Sequence, residues 1–385
     1  MATANQIYLM VNDAAKEALG AKALAVKDTA GLVSLGDTVL SSTTNKEAFY
    51  NALIDRIGRT VIAVRRFRSA NRSIKRDEMS WGIIYQKISF RLHNAVDNGS
   101  WETETQVDPF DVEIQTEAIQ KLFTKIGTWE YDDSIPDRQL FTAFTSASAM
   151  GAFIDGIFIN MDNAMTIGED AVADLAAATC IAGVGIKGKT SQNRNLLSEF
   201  NTKFNQSLTV NGALTDVNFL KFASYEINQV VKHMKRPSVA YNAESIPRQT
   251  TEENLVVEVL DQYAAATASY LESETYHKEL VALPGYEEVS YWQGEGVNGF
   301  AFADCSKINI QNIELATESN PSGTLERGGI LAFVHDYDAV ASCIYNVRTN
   351  NIYNPRAERL NIFKKADKGY AVDLSENAVV FYIAE

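Results

Sequence analysis

Through residues 134–165 the apolar positions Leu140, Phe144, Ala147, Ile154, Phe158, Met161 and Met165 recur at steps of three, four or seven. Such steps return to one face at 3.6 residues per turn, so the stretch predicts a long amphipathic helix with a single seam. Ser134 is the expected N-cap, followed by Pro136 and Asp137. In a first turn proline loses no needed hydrogen bond, and a carboxylate meets the positive end of the helix dipole. At 1.5 Å per residue the helix would span about 45 Å, enough for a spine, the alternative being a core helix interrupted at Gly151 and Gly156.

The segments before it carry different patterns. Residues 1–43 are small and polar, with no apolar period strong enough to fix a core, and predict an extended or partly helical arm. Thr44 and Glu47 form the T-x-x-E spacing of a capping box, which opens a helix ending at Gly58. TVIAVRRF then reads as a strand and enters the most basic part of the chain, with Arg65, Arg66, Arg68, Arg72, Lys75 and Arg76. A cationic patch with almost no interleaved aromatics does not suit stacking on bases, and acidic surfaces of neighbouring subunits or a solvated face suit it better.

From 79 to 133, WGIIYQKISFRL and KLFTKIGTWEYDDS predict two long β arms joined by a polar, acidic segment. A two-stranded ribbon is marginal in water by itself. Trp81, Tyr85, Phe90, Trp101 and Phe110 would therefore need cover, from another molecule or from the spine helix packing against the sheet.

After the spine come an alanine-rich helix (EDAVADLAAATC), a glycine-rich bend and a short helix in NLLSEFNTKFNQSL. Thr215 is the expected cap of DVNFLKFASYEINQVVKHM, and a further helix is expected over 255–271. Short strands follow, then GILAFVHD, SCIYNV, RLNIFKKADKGYAVDL and AVVFYI, with a turn expected at Asp367, Lys368 and Gly369. Strands and helices that occur in runs point to an α+β fold.

Composition narrows the chemistry. A chain of 385 residues that is 46% hydrophobic can bury a sizeable core and form two or more subdomains. Three scattered cysteines (Cys180, Cys305, Cys343) suit a reducing compartment rather than a disulfide framework, and four dispersed histidines offer no local metal pair. The N-terminus lacks a secretory pattern, and no run reaches the ~20 strongly apolar residues of a membrane span. A formal charge of −14 opposes tight sequence-independent binding to nucleic acid.

Gly183 to Thr190, GVGIKGKT, spells the phosphate loop G-x-x-x-x-G-K-[ST]. That chemistry requires a preceding buried strand and a following helix, with an acidic partner for Mg²⁺ such as Asp304 or Asp336. The alanine-rich context upstream favours a glycine-rich turn between two helices instead. No Ser-His-Asp order or Cys-His pair stands out, so no catalytic residue, cofactor or metal site is assigned.

The order of parts resembles the major capsid proteins of tailed bacteriophages with the Hong Kong 97-type fold, especially those of small short-tailed phages. FYNALIDRIGRTVIAVRRF (49–67) resembles the segment entering that family's extended loop, and DRQLFTAFTSASAMGAFIDGIFINMDNA resembles its spine helix. Residues 333–383 are similar to its closing region, although His335 stands where a glycine is usual and 366–369 replace R-x-G-G. The resemblance implies an N-terminal arm (1–43), a helix and strand (44–70), an extended β loop (71–120) and a peripheral domain with the spine (121–207). It further implies an axial domain (208–325) and strands that return to the peripheral domain (326–385).

The implied function is a self-assembling icosahedral head, built of pentamers and hexamers around double-stranded DNA without sequence-specific contact. It would assemble in the host cytoplasm and reside in the virion, with a portal and, because 43 residues are short for a built-in scaffold, a separate scaffolding protein. Expected interface residues are Trp81, Tyr85, Phe90, Trp101, Phe110, Arg65, Arg66, Arg68 and Arg72. Some members cross-link a loop lysine, for which Lys87 is available. Competing readings are an encapsulin-like nanocompartment shell and a P-loop NTPase.

Overall fold

The computed structural model describes residues 4–20, 25–42, 44–49, 52, 72–76, 85–92, 117–123, 126–137, 147–270, 285–294, 304–311 and 323–385. The chain divides into two compact units. One comprises Met1–Asn71, Gly127–Asp170 and Ile344–Lys368, the other Arg72–Ile126, Ala171–Cys343 and Gly369–Glu385.

In the first unit, helices α1 (Ala4–Leu19) and α2 (Thr29–Leu40) replace the expected coreless arm. Val11, Ala14, Leu32, Leu35 and Val39 are buried in one cluster with Phe49, Ile135, Met161, Leu360 and Ile362. Their period was hard to read because alanine and glycine fill much of the buried stripe. Asp28 caps α2 by accepting from the Gly31 N–H, and Asn12 bonds both backbone groups of Val26. The next helix, described at 44–49, is capped by the Ser42 hydroxyl, which accepts from Asn45 N at 3.2 Å, so the expected cap at Thr44 is two residues late.

Ser134 and Pro136 lie in β3 (Ile126–Pro136), an edge strand beside β11 (Arg359–Val372), and the next residue, Asp137, is helical, so the expected N-cap at Ser134 falls inside a strand. Proline's missing N–H is tolerated at the end of an edge strand. The long helix α3 runs Ala147–Lys187, 41 residues or about 60 Å. It fuses the expected spine, the alanine-rich helix and most of the glycine-rich bend into one rod. Of the predicted seam, Leu140 and Phe144 lie outside the described residues, while Met161 is buried.

β10 (Val340–Asn354) and β11 (Arg359–Val372) are long strands. Asp367, Lys368 and Gly369 are inside β11, so the expected turn there is absent; the chain reverses at 355–358. Asp367 is held within the sheet by Arg348, Asn346 and Thr128.

The second unit is built on a five-stranded sheet ordered β4-β12-β9-β5-β6. Its strands are β4 (Asn193–Asn195), β12 (Ala378–Tyr382), β9 (Ile330–Asp336), β5 (Leu255–Leu260) and β6 (Glu287–Val289). β9 is antiparallel to both neighbours. One face packs Leu260, Phe333, Ala378 and Val380 on Ala173, Ala177, Cys180, Ile181 and Val184 of α3. The other packs Val257, Val259, Val334, Val379 and Phe381 on α4 (Leu196–Phe204), α5 (Val217–Met234) and α6 (Asp261–Tyr270).

The helix expected over 255–271 is half strand. LVVEVL is covered on both faces, and a continuous apolar run of that kind carries no period that separates strand from helix. Asp216, rather than Thr215, caps α5, its Oδ1 accepting from Phe219 N at 2.8 Å. The closing strands β9 and β12 share a sheet with β5, so the boundary expected at 325/326 does not separate compact units; only 344–368 belongs with the first half of α3.

Candidate functional site

Strands β1 (Tyr85–Phe90) and β2 (Ala118–Phe123) form an antiparallel two-stranded ribbon, in register from Tyr85↔Phe123 to Phe90↔Ala118. The expected outgoing and returning arms meet here over six rungs, while the end of the returning arm, 126–136, is β3 of a different sheet. Side chains alternate across a strand, and the ribbon has two unlike faces.

The outer face is apolar and bare. Ile88 is 57% exposed, Phe90 65% and Leu122 43%, with Leu92 at 66% just beyond the strand end. The inner face carries Lys87, Lys121 and Phe123, the last two buried. Lys87 and Lys121 are directly opposed across the ladder, a repulsive pairing in isolation. A single carboxylate resolves it: Lys87 Nζ donates to Asp373 Oδ2 and Lys121 Nζ to Asp373 Oδ1, each at 2.9 Å. Lys87 also reaches Glu376 at 2.7 Å, Lys121 reaches Glu244, and Arg248 lies 3.2 Å from Glu376. Ser375 donates to Asp373 from both N–H and hydroxyl. Burial works against ionisation of Asp373, but the two lysines outweigh it and hold the carboxyl well below the usual aspartate range. Burial pushes Glu376 up, against the pull of Lys87.

The chain is pinned again by residues 72–76, before β1. Arg72 is buried and pairs with Glu258 at 2.8 Å and with Asp174. Burial opposes the Arg72 charge, yet Glu258 and Asp174 hold the guanidinium above its ordinary value. Ser73 bonds Glu287 through its N–H at 2.9 Å, and Ile74 is fully buried. Lys75 bridges to Ser342; Arg76 donates to the Tyr337 carbonyl at 2.7 Å and stacks over the Tyr337 ring at 4.1 Å.

The expected interface residues therefore divide. Phe90 is on the exposed face, and Tyr85 occupies the register position opposite Phe123. Arg72 is buried, with its charge met by Glu258 and Asp174 of its own subunit. Trp81, Trp101, Phe110, Arg65, Arg66 and Arg68 lie outside the described residues. Sequence reasoning passed over Ile88, Leu92 and Leu122, although alternation in KISFRL places Ile88, Phe90 and Leu92 on one side and Lys87 on the other.

The phosphate-loop spelling has no matching geometry. Gly183 to Lys187 are the last turns of α3, and Gly188 N donates back to the Val184 carbonyl at 2.8 Å. A side chain at Gly188 would strike that carbonyl. The Lys189 ammonium donates to the Val239 carbonyl, and Lys189 N donates to Gln192. Helix precedes the loop where a strand is required. Among the described residues no group of three His, Cys, Asp or Glu is placed to hold a metal, and no helix is long and apolar enough to cross a membrane.

This mixed helix-and-sheet architecture is the fold of phage capsid subunits. The capsid structure of Staphylococcus phage Andhra is similar with a TM-score of 0.52 and 9% identity, covering 83% of this chain and 84% of that one. The structure of head fiber and inner core protein gp22 of native bacteriophage P68 gives 0.51 and 9%, covering 80% and 83%. No curated protein matches the chain. The family model of the Phi29-like phage major capsid protein matches residues 10–382, and the chain belongs to that family. It is a structural subunit of an icosahedral phage head, and its place is the virion.

Proposed function

We propose that the outer face of the β1–β2 ribbon is a contact between copies of this subunit, by which pentamers and hexamers are joined into the shell. The carrying observation is the row Ile88, Phe90, Leu92 and Leu122, apolar and exposed on a ribbon whose other face is already engaged. Covering a large apolar side chain is worth about 1.5–3 kcal/mol, so even two per contact, repeated at every subunit, favour association after ordering costs are met. Trp81, Trp101, Phe110, Arg65, Arg66 and Arg68 extend this contact in the same reading. The shell receives double-stranded DNA through a portal without sequence-specific contact, and forms in the host cytoplasm on a separate scaffolding protein. The role is structural rather than enzymatic.

The test is co-expression with the scaffold, followed by sedimentation and negative-stain imaging. The native chain is expected to give closed shells. The double variant Ile88→Ser, Phe90→Ser is expected to stay soluble, melt cooperatively and give no shells, or shells that open at lower temperature. Shells of unchanged thermal stability from that variant would refute the ribbon contact.

A further inference from the structure

A ribbon with one bare face has to be held by the other, where the ion pairs of Lys87 and Lys121 stand beside the buried Phe123. Lys87 from β1 and Lys121 from β2 face each other at one register position and converge on opposite oxygens of Asp373. The Asp373 side chain is 2% exposed. Around it stand Glu376, Glu244, Arg248 and Ser375, all from the body of the same unit. Removing one partner from a buried ionic cluster leaves the others uncompensated, which is far more disruptive than never having had the cluster. Here neutralising Asp373 removes the only acceptor that the two opposed ammonium groups share at one rung of a two-stranded ladder, leaving Lys87 with Glu376 and Lys121 with Glu244. Such a ladder has little stability of its own. The five-stranded sheet, by contrast, keeps both of its apolar faces covered.

We propose that Asp373 is the catch of an ionic latch: it is the one carboxylate that Lys87 and Lys121 share, with Glu376 and Glu244 as their separate second partners, and neutralising it releases the ribbon as a unit while the sheet stays folded. The latch sits on the inner face, so it stands whether or not the outer face binds a neighbour. It makes the position of the ribbon a local electrostatic decision, separable from folding. Release is governed by the opening equilibrium of the ribbon alone, the kind of sub-global event that amide exchange resolves.

The experiment is amide hydrogen exchange on the full-length, unassembled chain at neutral pH, comparing native protein with Asp373→Asn, Lys121→Met and Lys87→Met. Asp373→Asn is expected to speed exchange in 85–92 and 117–123 at least tenfold, with β9 and β12 changed less than twofold. Lys121→Met is expected to act in the same direction, and it keeps the test available if the Asp373 turn fails to fold without its carboxylate. Unchanged ribbon exchange in these variants would overturn the latch. So would an equal rise across ribbon, β9 and β12, which would make Asp373 a residue of the fold and not a catch.

Discussion

His335 is the next-to-last residue of β9, fully buried and stacked on Phe333 with ring centroids 4.6 Å apart. Its Nδ1 lies 2.8 Å from the Asp336 carbonyl, and its Nε2 has no hydrogen-bond partner among the described residues. A protonated ring would carry an unsatisfied N–H in an apolar layer, with Arg72 adding repulsion, and burial pushes its pKa down to about 4. A depressed histidine contributes stability that is fully present above its unfolded value of about 6.5 and is lost as pH falls toward the folded value. Stability is therefore expected to drop by about 3 kcal/mol between pH 6.5 and 4, at 1.36 kcal/mol per pKa unit. Urea denaturation across that range should show the drop in native protein and a much flatter profile in His335→Gln. Equal slopes would place the acid sensitivity elsewhere. Asp373 has a depressed pKa too, but its contribution is lost only below the ordinary aspartate value, so the body should weaken in mild acid before the latch does.

At the scale of elements, α3 shows packing overriding propensity. Glycine costs about 1 kcal/mol against alanine inside a helix, so replacing either Gly156 or Gly168 should help if propensity alone decides. The two sites differ in their surroundings. Nothing lies within 4 Å of a side chain added at exposed Gly156, whereas one at Gly168 would collide with the Trp129 ring and the Tyr131 hydroxyl of β3. Gly156→Ala is expected to raise the melting midpoint slightly and Gly168→Ala to lower it, as read by thermal denaturation. If both raise it, β3 does not pack on the helix at Gly168. The same logic explains the fusion of three expected pieces into one rod, since glycines at close contacts do not break a helix whose other positions are buried against a sheet.

For the whole molecule, functional class turns on whether the GVGIKGKT segment is a loop or the end of a helix. With Gly183 to Lys187 helical and the Lys189 ammonium bound to a backbone carbonyl, no cradle is left for phosphate. Scanning fluorimetry is expected to show no Mg-ATP-dependent shift in native protein. Lys189→Ala should lose only one exposed hydrogen bond, about 1 kcal/mol or less, and still assemble with scaffold. A nucleotide shift abolished by that substitution would restore the NTPase reading. The family match and the bare apolar face of the ribbon favour the shell.

Much of this was legible from local pattern. The long helix, the paired β arms, the helices of 196–204 and 217–234 and the closing strands each carry a period or a cap that acts within a few residues. The α+β class and the resemblance in 49–67 and 333–383 followed from their order. What local pattern left open was decided by partners far away in sequence. LVVEVL became a strand because β9 and β6 flank it, and Asp367 stayed in a strand because Arg348 and Thr128 hold it. Arg72 turned inward because Glu258, 186 residues on, neutralises it. Lys87 was legible only as a loop lysine, and its convergence with Lys121 on Asp373 came from the fold. Hydrophobic period is a property of neighbours along the chain, and sequence records it. Burial of a charge depends on which distant carboxylate arrives to meet it, and only the tertiary structure determines that.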